Sequence, residues 1–365
     1  MTVDAFPLGA RPPFTVAAAV RHPVVLPILA VLGALLVGLV LIMLIGVPMG
    51  EAIDAFVRGA FGNPYSISVS INRAVVLGLV GLGFILAQRA NLTNVGGEGQ
   101  IAMGGIAATA VALTPGIAGL PLGPAFLLPL GAAVMAGGVW GGIAGVLKAR
   151  VGTNEVISTL LLSFIATWLL YWSIQETYLL RRPMTNSATL PESLRIPATT
   201  EIPLLTASPA WPITIGVVIA LVLAVVVWLI LSRSAFGFRL KAVGLNPVAA
   251  ARAGIAAGRV EVSALAIAGA FGGLAGGLML LGEQNVLRDG FSSGYGFDGL
   301  VVGLLARGSV LGVIVGALLF GFLRSAGLTM EMLAGVPSAL VDIVQGIIVL
   351  AIAGAAYWLM KRPTR

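Results

Sequence analysis

The chain has 365 residues, 58% hydrophobic and 10% charged, with a mean hydropathy of +1.05 and a formal net charge of +7. A soluble domain carries about 25% charged residues, so there are too few charges here to cover a water-facing surface, and the solvent of this fold is lipid. The basic excess is scattered between apolar segments instead of gathered into a patch, which excludes nucleic acid as a partner and fits the cytoplasmic bias of Lys and Arg in membrane proteins. There is no cysteine, so thiolate metal sites and thiol nucleophiles are excluded.

The expected fold class is an all-α integral membrane protein with about ten transmembrane or re-entrant helices. Apolar segments are read at 24–47, 71–90, 99–115, 122–147, 155–178, 211–231, 260–282, 293–306, 308–327 and 338–360. The first is too long, and lacks the small-residue cleavage site, to be a signal peptide. The third and eighth are short, as half-helices or re-entrant segments are where backbone lines a cavity. The only histidine, His22, stands beside Arg21 before the first segment and reads as a solvated flank. Segments 1–23 and 361–365 are expected in the cytoplasm, 24–360 as the membrane domain, 179–210 as an external loop and 232–259 as a cytoplasmic loop. That orientation places Arg11, Arg21, Arg89, Lys148, Arg150, Arg233, Arg239, Lys241, Arg252, Arg259, Arg307, Lys361, Arg362 and Arg365 inside, most of the 21 basic residues.

Four strings carry the chemistry. In Ala90–Gly105, "ANLTNVGGEGQIAMGG", glycines permit a tight turn and place Glu98 at a helix start, where the macrodipole stabilises a carboxylate. The same string supplies Asn94 and Gln100 as pathway candidates. In Gly152–Ala166, Asn154 suits an N-cap with Glu155 in the first turn, and Asn154, Glu155 and Ser158 are read alternatively as a polar cluster at a pathway mouth. Ser163 lies in the same string, and Asn285 and Gln345 complete the uncharged pathway candidates.

The third string, Gly237–Arg259, holds Asn246 as a cap and Pro247 at the first helical position, followed by a short helix over Val248–Ala253 that Gly254 terminates. A small alanine-faced helix flanked by basic residues suits docking into another protein's groove, through Gly244, Asn246, Pro247, Ala249, Ala250, Arg252 and Gly254. In the fourth string, Gly294–Leu323, Asp298 opens segment eight. On the last segment Asp342 and Gln345 share a face and are expected to be buried.

Glycines recur at i+4 in Gly137, Gly141 and Gly145 and again in Gly269, Gly273 and Gly277, each a flat stripe for close helix packing, read as packing within one subunit. Trp168, Tyr171 and Trp172 read as an interfacial belt. Enzymatic chemistry is not supported. None of the three lysines is followed by Ser or Thr, so no nucleotide-binding loop exists, and no pair of acids sits at i, i+3 or i+4 within a span to hold a metal.

Together the strings resemble the permease family of ABC importers that serves branched-chain amino acids, simple sugars and nucleosides. The similarity is greatest to the nucleoside-type permeases that depend on a basic membrane lipoprotein. Family members read near "NIGAEGQ" at Asn94–Gln100, "NEVISTLMLN" at Asn154–Ser163 and "LRAVGENPxAAxxAGI" at Leu240–Ile255. This chain departs from them at Gly97 (usually Ala), Ser163 (Asn) and Val310 (Pro).

The resemblance implies a coupling helix within Gly244–Ile255 that meets a separate ATPase subunit, which would hold the ATP and magnesium. It also implies a second, paralogous permease subunit, an external solute-binding lipoprotein and residence in the bacterial inner membrane. No cofactor is expected in this chain. The expected solute is a neutral nucleoside, with a simple sugar or a branched-chain amino acid as the alternative. An ion-coupled carrier would need deep carboxylates, for which Asp342 is the candidate, and would leave the docking loop unexplained.

Overall fold

The computed structural model describes residues 25–183, 190–206, 208–337 and 339–360. The expectations resting on His22, on Arg11 and Arg21 and on the 361–365 tail lie outside them. Among the described residues the fold is all-α apart from isolated bridges in the 181–214 loop and at Arg288.

The chain forms α1 (Val25–Ile45), α2 (Met49–Phe61), α3 (Pro64–Gln88), α4 (Gly97–Ala112), α5 (Leu122–Val151) and α6 (Glu155–Gln175). It continues with α7 (Gly216–Arg233), α8 (Ala235–Leu245), α9 (Pro247–Arg252), α10 (Ala257–Met279), α11 (Tyr295–Ala306), α12 (Val310–Ala334) and α13 (Ala339–Met360). A π turn over Leu280–Gln284 prolongs α10. Among the described residues six helices are long and apolar enough to cross a membrane, α10 counted with its π turn, so the protein is a multi-pass membrane protein.

Burial orders these helices. The apolar windows of α10 and α3 are 83% and 72% buried inside the chain, against 17% for α7. In lipid no hydrophobic force drives helices together, so the centre goes to helices whose surfaces permit close approach. The two glycine stripes face each other: a Cβ on Gly137 would lie 2.3 Å from the Gly269 carbonyl oxygen, and one on Gly273 would lie 2.1 Å from that of Ala133. They form a single seam between α5 and α10 within one chain.

Three differences from the sequence reading have plain causes. Helix α2 was not expected, because Glu51, Asp54 and Arg58 make it too polar for an apolar scan; it packs on α12, where the Ser325 hydroxyl donates to the Gly59 carbonyl at 3.2 Å. Helix α3 starts at Pro64, not near 71, because Asn63 caps it by accepting from the Ser66 amide at 2.8 Å. Helix α12 runs on to Ala334, not 327, which places Arg324 in mid-helix and not near an end.

Trp168 and Trp172 are exposed on the far part of α6, as a belt requires, with Trp168 edge-on to Tyr171 at 5.8 Å. Segment 190–206 is knitted onto the end of α10. Ile202 donates to the Leu281 carbonyl (2.9 Å), Ile196 to that of Asn285 (3.0 Å) and Ser193 to that of Leu287 (2.8 Å).

Candidate functional site

Helices α4 and α11, with 16 and 12 residues, are about 24 and 18 Å long at 1.5 Å per residue. Neither crosses a hydrocarbon core of about 30 Å. Their N-termini meet. Helix α11 runs alongside α3, with Gly299 against Val80 and Gly303 against Phe84, while α4 runs alongside α6, with Val95 against Thr159 and Gly99 against Ser163. Helices α3 and α6 run in opposite senses, so the two short helices point away from their junction. Val80 and Ser163 lie about 12 Å inside the ends of their helices, which puts the junction at depth.

The contact there is backbone on backbone: a Cβ on Gly296 would lie 2.0 Å from the Glu98 nitrogen. Half-buried Glu98 uses both carboxylate oxygens on the other helix. Oε1 accepts from the Gly294 amide and Oε2 from the Gly296 amide, each at 2.8 Å. One acid thus caps α11 from the first turn of α4, between the positive ends of two macrodipoles. Asn94 and Gln100 exchange amide bonds at 3.0 and 3.1 Å, and Asn94 Oδ1 also accepts from the Gly96 amide, which locks the turn leading to Glu98.

One turn into α11, Asp298 meets Arg324 of α12 at 2.5 Å. The same guanidinium donates to the Ser293 carbonyl and lies 4.1 Å from the Tyr295 ring centroid. Arg324, Ser293 and Tyr295 floor a cavity of about 510 Å³ between α3, α10, the 285–294 segment, α12 and α13. Its charged lining is Arg73, Arg288 and Arg324 against Glu283, Asp289 and Asp342. Arg73 and Glu283 are paired at 3.0 Å, whereas Arg288 and Asp342 make no side-chain hydrogen bond or ion pair among the described residues. The cavity is charged and balanced.

The other sequence candidates lie elsewhere. Asn154 caps α6, accepting from the Val156 amide at 2.9 Å, and Glu155 pairs with Lys148 of α5 at 2.8 Å. Ser158 bonds the Glu155 carbonyl, and Ser163 accepts from the Gly99 amide at 3.3 Å, so it ties α6 to the start of α4. Asn285 ends the π turn at φ 56°, its amide on the Leu280 carbonyl. Gln345 is buried, its amide atoms without a partner among the described residues, while Asp342, expected buried beside it, is exposed and lines the cavity. Glu283, Asp289 and Tyr295 were missed, although charges flanking an apolar run within the membrane are the signal that finds such residues.

The docking loop keeps its expected ends: Asn246 accepts from the Ala249 amide at 3.0 Å, Pro247 opens α9 and Gly254 stands at φ 82°. Its face is corrected. Ala250 is 5% exposed and points into the chain; Leu245, Val248, Ala249 and Arg252 are exposed. Gly244 fits because α8 rests on the Arg89–Ala90 turn, where a Cβ would lie 2.5 Å from the Arg89 carbonyl oxygen.

The family model for the branched-chain amino acid transport system / permease component matches residues 66–353. The guanosine ABC transporter permease protein NupP of Bacillus subtilis is 34% identical over 90% of this chain and 92% of its own length. The nucleoside ABC transporter permease protein NupB of Lactococcus lactis is 31% identical over 90% of each. The glucose ABC transporter permease protein TsgB13 of Haloferax volcanii is 33% identical over 89% of this chain and 85% of its own length. No solved structure matches the chain.

Proposed function

This chain belongs to the branched-chain amino acid transport system / permease component family and is the membrane permease of an ABC importer, a transport subunit and not an enzyme; on that premise we propose that it imports a nucleoside. The cavity above the α4–α11 junction carries this reading. Its volume falls within the roughly 300–1,000 Å³ of small-molecule sites. Three cations balanced by three acids suit a neutral, hydrogen-bonding solute, whereas an anionic solute would require a cationic excess. Among the similar proteins, names with guanosine or nucleoside stand beside names with glucose, which makes a simple sugar the competing solute. Competition against labelled guanosine uptake in cells expressing the whole system tests the choice. Excess adenosine, inosine or uridine competes if the proposal holds; competition by glucose or ribose alone removes it.

The ATPase subunit, with its ATP and magnesium, would dock on the exposed face of the α8–α9 loop. A paralogous second permease is supported by the paired names NupP and NupQ in B. subtilis and NupB and NupC in L. lactis. An external binding lipoprotein would deliver the solute to the cavity side, over the 190–206 segment. Both termini are then cytoplasmic, in a bacterial plasma membrane. A single cysteine reports this orientation without background, since the chain has none. Leu190→Cys reacts with an impermeant maleimide in intact spheroplasts and Val248→Cys only after lysis; the reverse pattern overturns the orientation.

A further inference from the structure

We propose that Glu98 is a positioning residue for transport: its carboxylate carries movement of the cytoplasmic loop to the floor of the cavity. The inference rests on family membership and not on the choice of solute.

The contacts run from α8 to the cavity floor, with one covalent stretch, Ala90–Asn94, between them. Helix α8 lies on the Arg89–Ala90 turn with backbone against backbone at Gly244. That turn leads within a few residues to Asn94, whose side chain holds Gly96 and Gln100. Gly97 would place a Cβ 2.9 Å from the Gly296 carbonyl oxygen. Glu98 then grips the Gly294 and Gly296 amides. On the far side of those two residues stand Ser293 and Tyr295, which Arg324 holds in the cavity floor, and Asp298, its ion-pair partner. A displacement of α8 therefore reaches the floor through packed backbone and a single side chain.

That side chain is a singular link. Backbone-to-backbone contacts between glycines transmit a push but cannot transmit a pull. Among the described residues only the carboxylate, with one oxygen on each of two amides, binds the start of α11 to the start of α4 in both directions. An amide at this position keeps the volume but turns one acceptor into a donor facing a backbone N–H. Coupling between distant sites is a physical claim only if an element moves between two arrangements, so the experiment must read motion.

Ser293, exposed in the cavity floor, is the reporter. The Ser293→Cys permease, otherwise cysteine-free, is reconstituted with its paralogous permease and ATPase subunits. Its labelling rate by an impermeant maleimide is compared without nucleotide and after trapping with ATP and orthovanadate. The expected ratio is about fivefold or more. In Ser293→Cys/Glu98→Gln it falls below about twofold, with permease abundance and ATPase co-purification unchanged.

A ratio preserved in the Glu98→Gln background overturns the proposal. So does the absence of any nucleotide dependence in the Ser293→Cys parent, because the floor then does not move. Failure of the Glu98→Gln chain to accumulate also overturns it, because the side chain would then be needed for folding. No solute enters the assay, so an incorrect nucleoside assignment leaves its outcome readable.

Discussion

Two regions of this molecule are built from glycines pressed backbone to backbone, and they do opposite things. The α5–α10 seam sets Gly137 and Gly141 against Gly269 and Gly273, and Gly145 against Val262, with no charged side chain at the contact. The α4–α11 junction sets Gly97 against Gly296 but rims the contact with Glu98, Asp298 and Arg324. In the seam close approach is the whole interaction, since dispersion between backbones is what lipid cannot supply. In the junction close approach brings two helix N-termini to one acid and leaves charge at depth. A seam of the first kind holds a scaffold together. A junction of the second kind depends on a polar group that a small change can release.

The sharpest way to break this comparison is bulk in the seam. Gly137→Leu places side-chain atoms where the Gly269 carbonyl and the Gly273 Cα already lie. Overpacking costs about 1–3 kcal/mol where side chains can yield, and here only backbone is available to move. The folded permease, followed by fluorescence-detected size exclusion, is expected to fall more than tenfold. A monodisperse peak with the parental melting temperature would show that the seam is not the scaffold.

At the junction the expected loss is smaller and of another kind. Arg324→Ala leaves Asp298, 19% exposed, without its cation; removing one partner of a buried pair costs about 3–5 kcal/mol. Membrane abundance should drop severalfold and uptake should disappear. The neutral pair Arg324→Gln/Asp298→Asn should recover abundance but not uptake, which would separate the structural from the functional share of the ion pair. Recovery of both would make the pair a packing device like the seam.

The α8–α9 loop supplies the mildest perturbation and a control. Val248 is 61% exposed, so Val248→Asp should leave permease abundance and melting temperature unchanged, lose most of the ATPase in co-purification and cut uptake about tenfold through docking alone. Ala250→Trp, one turn face away, should instead lower the abundance of the permease itself, because Ala250 packs inside. Equal ATPase retention by Val248→Asp and the parent would remove α9 from the contact.

Much of this was legible in the residues. Asn154 and Asn246 cap the helices they precede, and both glycine stripes lie in tight contacts. Arg73, Arg288 and Arg324 all line the cavity. The failures share a cause: apolar scanning drops the polar turns of a helix, the serines of 64–70 in α3 and the turns around Glu331 in α12. It shortened α3 and α12, so Arg73 and Arg324 read as terminal, and it passed over α2 altogether. The Asn63–Pro64 start was available as a signal of the same kind as Asn246–Pro247. Ala250 was assigned to the wrong face because a six-residue helix of small side chains has no periodic contrast to show which side is inward.

By itself the sequence determined the solvent, the helical class, the shortness of α4 and α11, the caps and the family strings, because each follows from composition or from neighbours a few residues apart. Only the tertiary structure decided that the two stripes are one seam, that Glu98 caps a helix almost two hundred positions away, and that six charges from five parts of the chain line one balanced cavity. The physical reason is range. Helix length, capping and lipid exposure are local terms, whereas the partner of a carboxylate in a membrane is chosen by which backbones can come close enough to bring it there, and glycine contacts between distant segments make that choice.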